Sequence, residues 1–436
     1  MIEILYTYFD LLHPSRLRRR VQSNSLLQGL VVMISGASVA QLITLLAAPV
    51  LTRLYLPADF GILQIFFSFV VILTSVVTWK YELAIPLPDS REDAINLIFL
   101  CLSIAVAMSM IFYFFARFLL IDGSFLEDFV ILRPYLPIII LSTLFAGMYQ
   151  TFSYWFVRER EYKTLAQTRF VQTAVQAIVQ IGCGVVGLAP AGLLLGDAIG
   201  RFSSSGLLAR RFLSNRDELA SANISGLLLV GKRYKRFPLV SSFSNLLNTI
   251  GIHLPALMIG ALFGVSVAGL FALGQRVMAI PMVFIGQAIS KVYFSEGALK
   301  ARHEPSSLQP FFQSILRKLS LVGVVPILIA SALAPFVFGI LFGPSWDEAG
   351  LYILWLSPMF IGQFIASPLS QTLNIIERQD LLLGWDIFRL LMTIFSLLLG
   401  YYLSLGPILT IGFYSIIMFF CYAILLIICN YSLKKI

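Results

Sequence analysis

The sequence predicts an all-α polytopic membrane protein with about twelve transmembrane helices. Three observations carry this. Hydrophobic residues make up 58% of the 436 and charged residues only 12%, and mean hydropathy is +0.88, more apolar surface than a soluble fold hides. Apolar stretches recur from Leu27 to Tyr431, each near the roughly 20 residues that a helix needs to cross a bilayer. They are continuous rather than alternating, which argues against a β-barrel.

The first span, 27–53, follows a basic cluster of Arg16, Arg18, Arg19 and Arg20. A full-length apolar segment without a small-residue cleavage site reads as a retained helix, not a signal peptide. The second, 61–85, carries Lys80 and Glu82 near its end. The third and fourth, 94–117 and 134–157, flank the longest outward loop, about 118–133, too short for a folded domain. The fifth, 164–187, is polar along one face. The sixth, 191–212, holds Asp197 and Arg201. After a connection from Arg210 to Pro238 come 239–263, 268–291, 313–342, 350–376, 382–403 (with Asp386 and Arg389) and 407–431. Cys101, Cys183, Cys421 and Cys429 lie inside these helices without metal spacing and read as packing residues.

Of the 31 Lys and Arg, 24 fall on the side of the termini, three (Arg53, Arg117, Arg133) on the other, and four inside helices. This bias places both termini in the cytoplasm of a multi-pass inner-membrane protein. It also accounts for the net charge of +9 without nucleic acid as partner. The long connection divides the chain into a basic segment 1–26, an N-lobe 27–213, a connection 214–238 and a C-lobe 239–436. Weak echoes suggest duplication. Pro137 precedes Gln150-Thr151 by thirteen residues, as Pro358 precedes Gln371-Thr372, so two pseudo-symmetric six-helix lobes are expected.

A charge at mid-bilayer costs on the order of 3 kcal/mol, so the in-helix cations Arg169, Arg201, Arg276 and Arg389 are candidate site residues. Arg201 and Arg389 each have an acid on their own helix face, Asp197 and Asp386, and also read as internal pairs. Arg169 and Arg276 have none three or four residues away. Arg169 also reads as a snorkelling interfacial residue. Four polar stripes share helix faces: Arg169, Gln172, Thr173, Gln176 and Gln180; Ser241, Ser244, Asn245, Asn248 and Thr249; Arg276, Gln287 and Ser290; Gln363, Ser367, Ser370, Gln371 and Asn374. One stripe is commonly interhelical hydrogen bonding, whereas four suggest a hydrated central passage. His253 reads as a packing histidine before a proton relay. Lys80 and Glu82, two residues apart on a helix, do not face each other. Glu82 reads equally as an interfacial charge or an exchangeable proton site.

Gly182-Cys-Gly184-Val-Val-Gly187 matches GxGxxG but lies in a membrane helix, where close packing explains it. Gly226-Leu-Leu-Leu-Val-Gly231-Lys232-Arg233 imitates a P-loop with Arg233 where Ser or Thr is needed. Asn223-Ile-Ser225 is a glycosylation sequon on the cytoplasmic side. No metal or cofactor motif is present in the sequence.

Several stretches resemble the Wzx-type polysaccharide and lipopolysaccharide flippases of the multidrug/oligosaccharidyl-lipid/polysaccharide exporter superfamily. They are Pro49-Val-Leu-Thr-Arg53-Leu-Tyr-Leu-Pro-Ala-Asp59-Phe-Gly61, Lys80-Tyr-Glu82-Leu-Ala-Ile-Pro-Leu-Pro88, and Tyr234-Lys-Arg-Phe-Pro238 through Asn245, Asn248, Gln275-Arg276 and Ile285-Gly286-Gln287. Lys80 stands where the family usually has Arg, keeping charge but not a bidentate phosphate contact. The resemblance implies two lobes around a central cavity and alternating access. It implies transport of undecaprenyl-diphosphate-linked oligosaccharide, with no enzymatic step, for O-antigen, capsule or exopolysaccharide. Expected partners are the lipid-linked glycan, membrane lipids, and the polymerase and chain-length regulator of the same pathway. The expected substrate-binding residues are Arg276, Arg169, Arg201, Arg389, Lys80, Asn245, Asn248, Gln287, Gln371 and Asn374. Glu82 or Asp197 is the expected ion-coupling carboxylate. A drug or cation antiporter of the same superfamily would need surplus buried acid, whereas the helix interiors carry a surplus of two positive charges. A membrane polymerase or glycosyltransferase would need a large outer loop with catalytic acids.

Overall fold

The computed structural model describes residues 25–121, 127–214, 223–281 and 286–434. The basic cluster before Ser25 lies outside them. Helices are α1 (Ser25–Leu54), α2 (Pro57–Thr74), α3 (Arg91–Ile121), α4 (Leu136–Arg158), α5 (Tyr162–Val185), α6 (Ala191–Leu213), α7 (Ile224–Arg233), α8 (Ser242–Phe263), α9 (Val265–Pro281), α10 (Gln287–His303), α11 (Leu308–Phe342), α12 (Asp347–Leu369), α13 (Gln371–Ile375), α14 (Gln379–Tyr402) and α15 (Gly406–Leu433). Among the described residues eight helices are long and apolar enough to span a membrane. Helices α5 and α6 fall short of that apolarity because of their polar stripe and the Asp197–Arg201 pair, yet at 24 and 23 residues they match their neighbours in length. Together with α1 and α9, whose apolar stretches Val39–Leu54 and Val265–Ala279 are shorter, they make up about twelve crossings in two six-helix lobes.

Local chemistry sets the helix ends. Pro57 opens α2, and the Asp59 carboxylate accepts from the Leu56 amide at 2.8 Å, answering the unpaired donors of a helix start. Gly264 and Gly343 end α8 and α11 with φ of +91° and +103°, a backbone region that only glycine enters without strain.

One span differs from the sequence reading. The second helix stops at Thr74, and residues 75–90 form turns and a short 3₁₀ segment, Tyr81–Ala84. Trp79 and Lys80 both sit in the left-handed region, with φ of 51° and 59°. Such irregular backbone survives at membrane depth only when buried in protein, and Val77, Thr78, Glu82, Ala84 and Ile85 are all buried. Of the eighth span, 268–291, the described residues belong to α9 as far as Pro281 and to α10 from Gln287.

The two lobes meet at the end of the bundle distal to Ser25 and Leu433. There Gly61 and Gly269 bring α2 and α9 so close that a Cβ on either would collide with a backbone carbonyl of the other, Val265 or Pro57. Trp346 donates its indole N–H to the Thr52 carbonyl at 2.9 Å and meets the Phe60 ring edge-on at 4.9 Å. Small residues that allow backbone approach are how helices associate without a hydrophobic drive in lipid. Farther down the seam, His253 packs edge-on to Phe67 at 5.7 Å, in keeping with a packing role.

Candidate functional site: two cavities in the proximal half

Two of the cavities in the proximal half gather residues of the polar stripes. The smaller, about 310 Å³, is walled by α2 and the turns after it, α4, α5, α6 and α8, and presents Lys80, Arg169 and Arg201 together with Tyr149, Gln150, Gln172, Ser204, Asn245 and Thr249. Arg201 is held by Asp197 through two bonds, 2.6 and 3.1 Å. Lys80 lies 3.4 Å from Glu82, whose other oxygen accepts from Thr78 at 2.6 Å. The expectation that Lys80 and Glu82 do not face each other is therefore corrected. It assumed an α-helix, and the left-handed Lys80 followed by a 3₁₀ turn brings the two side chains together. Arg169 has no acid partner among the described residues. Its guanidinium lies over the Tyr149 ring at 5.5 Å, and the residue is exposed to the cavity. The cavity thus holds three cations against two acids, and Arg169 is the surplus.

The larger cavity, about 840 Å³, belongs to the C-lobe and presents Gln275, Ser290, Gln363, Ser367, Ser370, Gln371, Arg389, Tyr414 and Tyr422. Its one lining cation among the described residues, Arg389, bonds Asp386 at 3.2 Å and lies over Trp385 at 5.0 Å. Gln150 in the first cavity and Gln371 in the second, the echoed pair of the sequence, occupy comparable places in the fourth helix region of each lobe.

The predicted site residues divide accordingly. Lys80, Arg169, Arg201 and Asn245 line the first cavity and Arg389 and Gln371 the second. Asn374 bonds the Gln371 side chain at 2.9 Å. Arg276 is on the wall of neither cavity. It is half-buried on α9 and forms no ion pair among the described residues, with Asp197 of the opposite lobe close enough to act on it only through its field. Asn248 is exposed and also lines neither. The Gln287 side chain lies outside the described residues. Not every stripe faces the passage. Gln176 and Gln180 pack against Gly196 of α6, with the Gln180 amide donating to the Leu193 carbonyl at 2.9 Å. Of the third stripe, Arg276 lies on α9 and Ser290 on α10. Sequence reasoning missed Tyr149, Tyr414 and Tyr422; the eight-residue spacing of the last two, one face of a helix, was the available signal. The sequon Asn223 caps α7, accepting from the Gly226 amide at 2.5 Å.

This fold, with paired lobes sealed at one end and polar cavities in the other half, is shared by solved membrane transporters. Solved structures with this fold include a multidrug resistance MATE family transporter of the MOP superfamily in an inward-facing conformation (TM-score 0.69, 15% identity, covering 91% of this chain and 96% of that one). The lipid II flippase MurJ in an inward closed conformation is also similar (TM-score 0.67, 12% identity, 93% and 87% covered). So is a MOP superfamily transporter from Pyrococcus furiosus (TM-score 0.60, 14% identity, 93% of each chain). The chain belongs to the polysaccharide biosynthesis protein family, which matches residues 50–350. Its Wzx-type motifs agree with that membership. Among curated proteins it is similar to the teichuronic acid biosynthesis protein TuaB of Bacillus subtilis, 28% identical over 177 residues, 40% of this chain. That match spans about a third of the relative's length, 36%.

Proposed function

We propose that this protein is a flippase that moves undecaprenyl-diphosphate-linked oligosaccharide from the cytoplasmic to the periplasmic face of the inner membrane, for surface polysaccharide. The observation that carries this reading is the small cavity with Lys80, Arg169 and Arg201 in the half of the bundle that bears the termini. A diphosphate does not cross hydrocarbon unaided, because losing its water is too costly. Fixed cations at low dielectric replace that water with charge-assisted bonds. With the termini cytoplasmic, as the Lys/Arg bias indicates, this cavity faces the side where such lipids are assembled, and the sealed glycine contact is the periplasmic gate. The cation surplus disfavours the drug or cation antiporter reading. The family match supports polysaccharide synthesis as the pathway, and the fold supports alternating access rather than enzymatic turnover.

For ion coupling, Glu82 is favoured over Asp197. Asp197 is committed to Arg201 through both oxygens, whereas Glu82 is held by one lysine and one hydroxyl on irregular backbone. Glu82→Gln should leave lipid binding intact and remove the dependence of transport on an imposed proton or sodium gradient in proteoliposomes.

The decisive test is genetic. Deleting this gene in its host should deplete surface polysaccharide and trap lipid-linked glycan at the cytoplasmic face. Wild type should restore export, and Arg169→Ala, inserted at equal level, should not. Normal surface polysaccharide in the deletion strain would overturn the flippase reading.

A further inference from the structure

We infer that the two cavities divide one cargo between them: the first takes the diphosphate, and the C-lobe cavity is a separate glycan-binding site. This rests on the flippase reading above. The chemistry of the two linings differs in kind. Phosphate oxygens only accept hydrogen bonds, and they are met by donors that carry charge. Sugar hydroxyls both donate and accept, and they are met by groups that do the same. The C-lobe cavity offers the amides of Gln275, Gln363 and Gln371, the hydroxyl of Ser290, and the phenols of Tyr414 and Tyr422. Its single arginine is neutralised by Asp386, so among the described residues it has no surplus cation for a phosphate. Tyr rings add apolar faces with a polar tip, suited to a sugar ring with its C–H and O–H faces. At about 840 Å³ the space is near the upper end of small-ligand sites, roughly 300–1,000 Å³.

The placement lets one molecule reach both. Helix α8 is the shared wall. Asn245 and Thr249 face the first cavity, and Gly251, Ile252 and Pro255, on another side of the same helix, face the second. Gly251 is the position where Arg389 approaches α8: a Cβ there would stand 3.3 Å from its guanidinium. A headgroup held at Arg169 therefore has its first sugars beside a cavity built for hydroxyls, across a single helix.

The test uses the purified full chain in lipid nanodiscs and two probes. One is bare undecaprenyl diphosphate. The other is undecaprenyl diphosphate carrying the host's own glycan, extracted from cells lacking this chain. Wild type should bind the glycosylated probe at least about tenfold more tightly, since unmade hydrogen bonds in a polar site are costly. The double substitution Gln363→Leu and Gln371→Leu should bring that ratio to about twofold or less. Ser290→Phe, which fills the space without touching an amide, should do the same; bare-lipid binding serves as the folding control for each. A ratio unmoved by both, or both probes weakened in parallel, overturns the glycan site. Equal binding of the two probes by wild type also overturns it, while leaving the flippase reading standing. Failure of wild type to bind either probe overturns both.

Discussion

The two cavities differ in what becomes of their charge. In the N-lobe cavity two cations are matched by acids and a third, Arg169, is matched by an aromatic face. In the C-lobe cavity the single arginine has both an acid and an aromatic face. Four in-helix arginines look alike in sequence. Among the described residues, Arg201 and Arg389 form acid pairs, Arg276 lies in the field of Asp197 without an ion pair, and Arg169 is held by an aromatic ring alone. The lesson is that a buried charge reports function only after its partners are found, because a paired charge is as much a structural device as a site.

The largest effect should come from breaking that asymmetry. Arg169→Ala removes the uncompensated cation and leaves no acid stranded. Undecaprenyl diphosphate should bind about 30-fold or more weakly, the loss expected of a charge-assisted contact of about 2–3 kcal/mol. Protein stability should be nearly unchanged. Arg389→Ala should do the reverse. It strands the half-buried Asp386, so the melting temperature should fall while the bare lipid binds as before. Lipid titration and thermal unfolding of both variants give the comparison, and equal loss of binding in the two would abolish it.

Next in size is the distal seal. Gly269→Ala puts a methyl group where the Pro57 carbonyl lies, and a rigid backbone contact cannot yield as a side chain does. The lobes must part there, so the population should shift toward a state open at the distal end. A cysteine introduced at Trp346, whose indole lies in the seal, should become reactive to a membrane-impermeant thiol reagent several-fold faster in the Gly269→Ala background. Unchanged labelling would mean that this contact does not hold the gate.

A smaller effect is expected for the cation at the seam. Arg276 of the C-lobe lies within the field of Asp197 of the N-lobe without forming an ion pair with it, and Asp197 already holds Arg201. A double-mutant cycle of Arg276→Ala with Asp197→Asn should give a coupling of about 0.5–2 kcal/mol in unfolding free energy. Additive effects would remove Asp197 as its partner. If Arg276→Ala instead weakens diphosphate binding as much as Arg169→Ala does, Arg276 reaches cargo in a conformation other than this one.

The class of fold was legible in the sequence because membrane solvent imposes it: length, apolarity and Lys/Arg bias leave few alternatives. Helix-period faces were legible too, as in Gln363, Ser367 and Gln371 lining one cavity. What the sequence hid were the places where helical geometry stops. Reading 61–85 as continuous helix put Lys80 and Glu82 on different faces, and the turn at Trp79 and Lys80 reverses that. The polar stripe of α5 was over-read, since the Gln180 amide bonds its neighbour α6 rather than facing water. Tyrosines were under-read, because in a chain with 17 of them only position distinguishes a cavity wall from packing.

The smallest effect concerns the aromatic platforms and sharpens the comparison further. Arg169 is oriented by Tyr149 without a carboxylate, so Tyr149→Leu should loosen it. Exposed cation–π contacts are worth about 0.5–1 kcal/mol, and bare undecaprenyl diphosphate should bind about two- to fivefold more weakly. Arg389 keeps its bond to Asp386 when Trp385→Phe trims the larger ring, so the glycan preference should change by less than about twofold. The cost there should appear in thermal stability, because the Trp385 indole N–H donates to the Cys421 carbonyl at 2.8 Å, and its loss leaves a buried carbonyl without that donor. Lipid titration of both variants measures the difference. A larger loss in Trp385→Phe than in Tyr149→Leu would mean that the acid pair does not hold Arg389 in place, and that the aromatic face is the main support in both lobes.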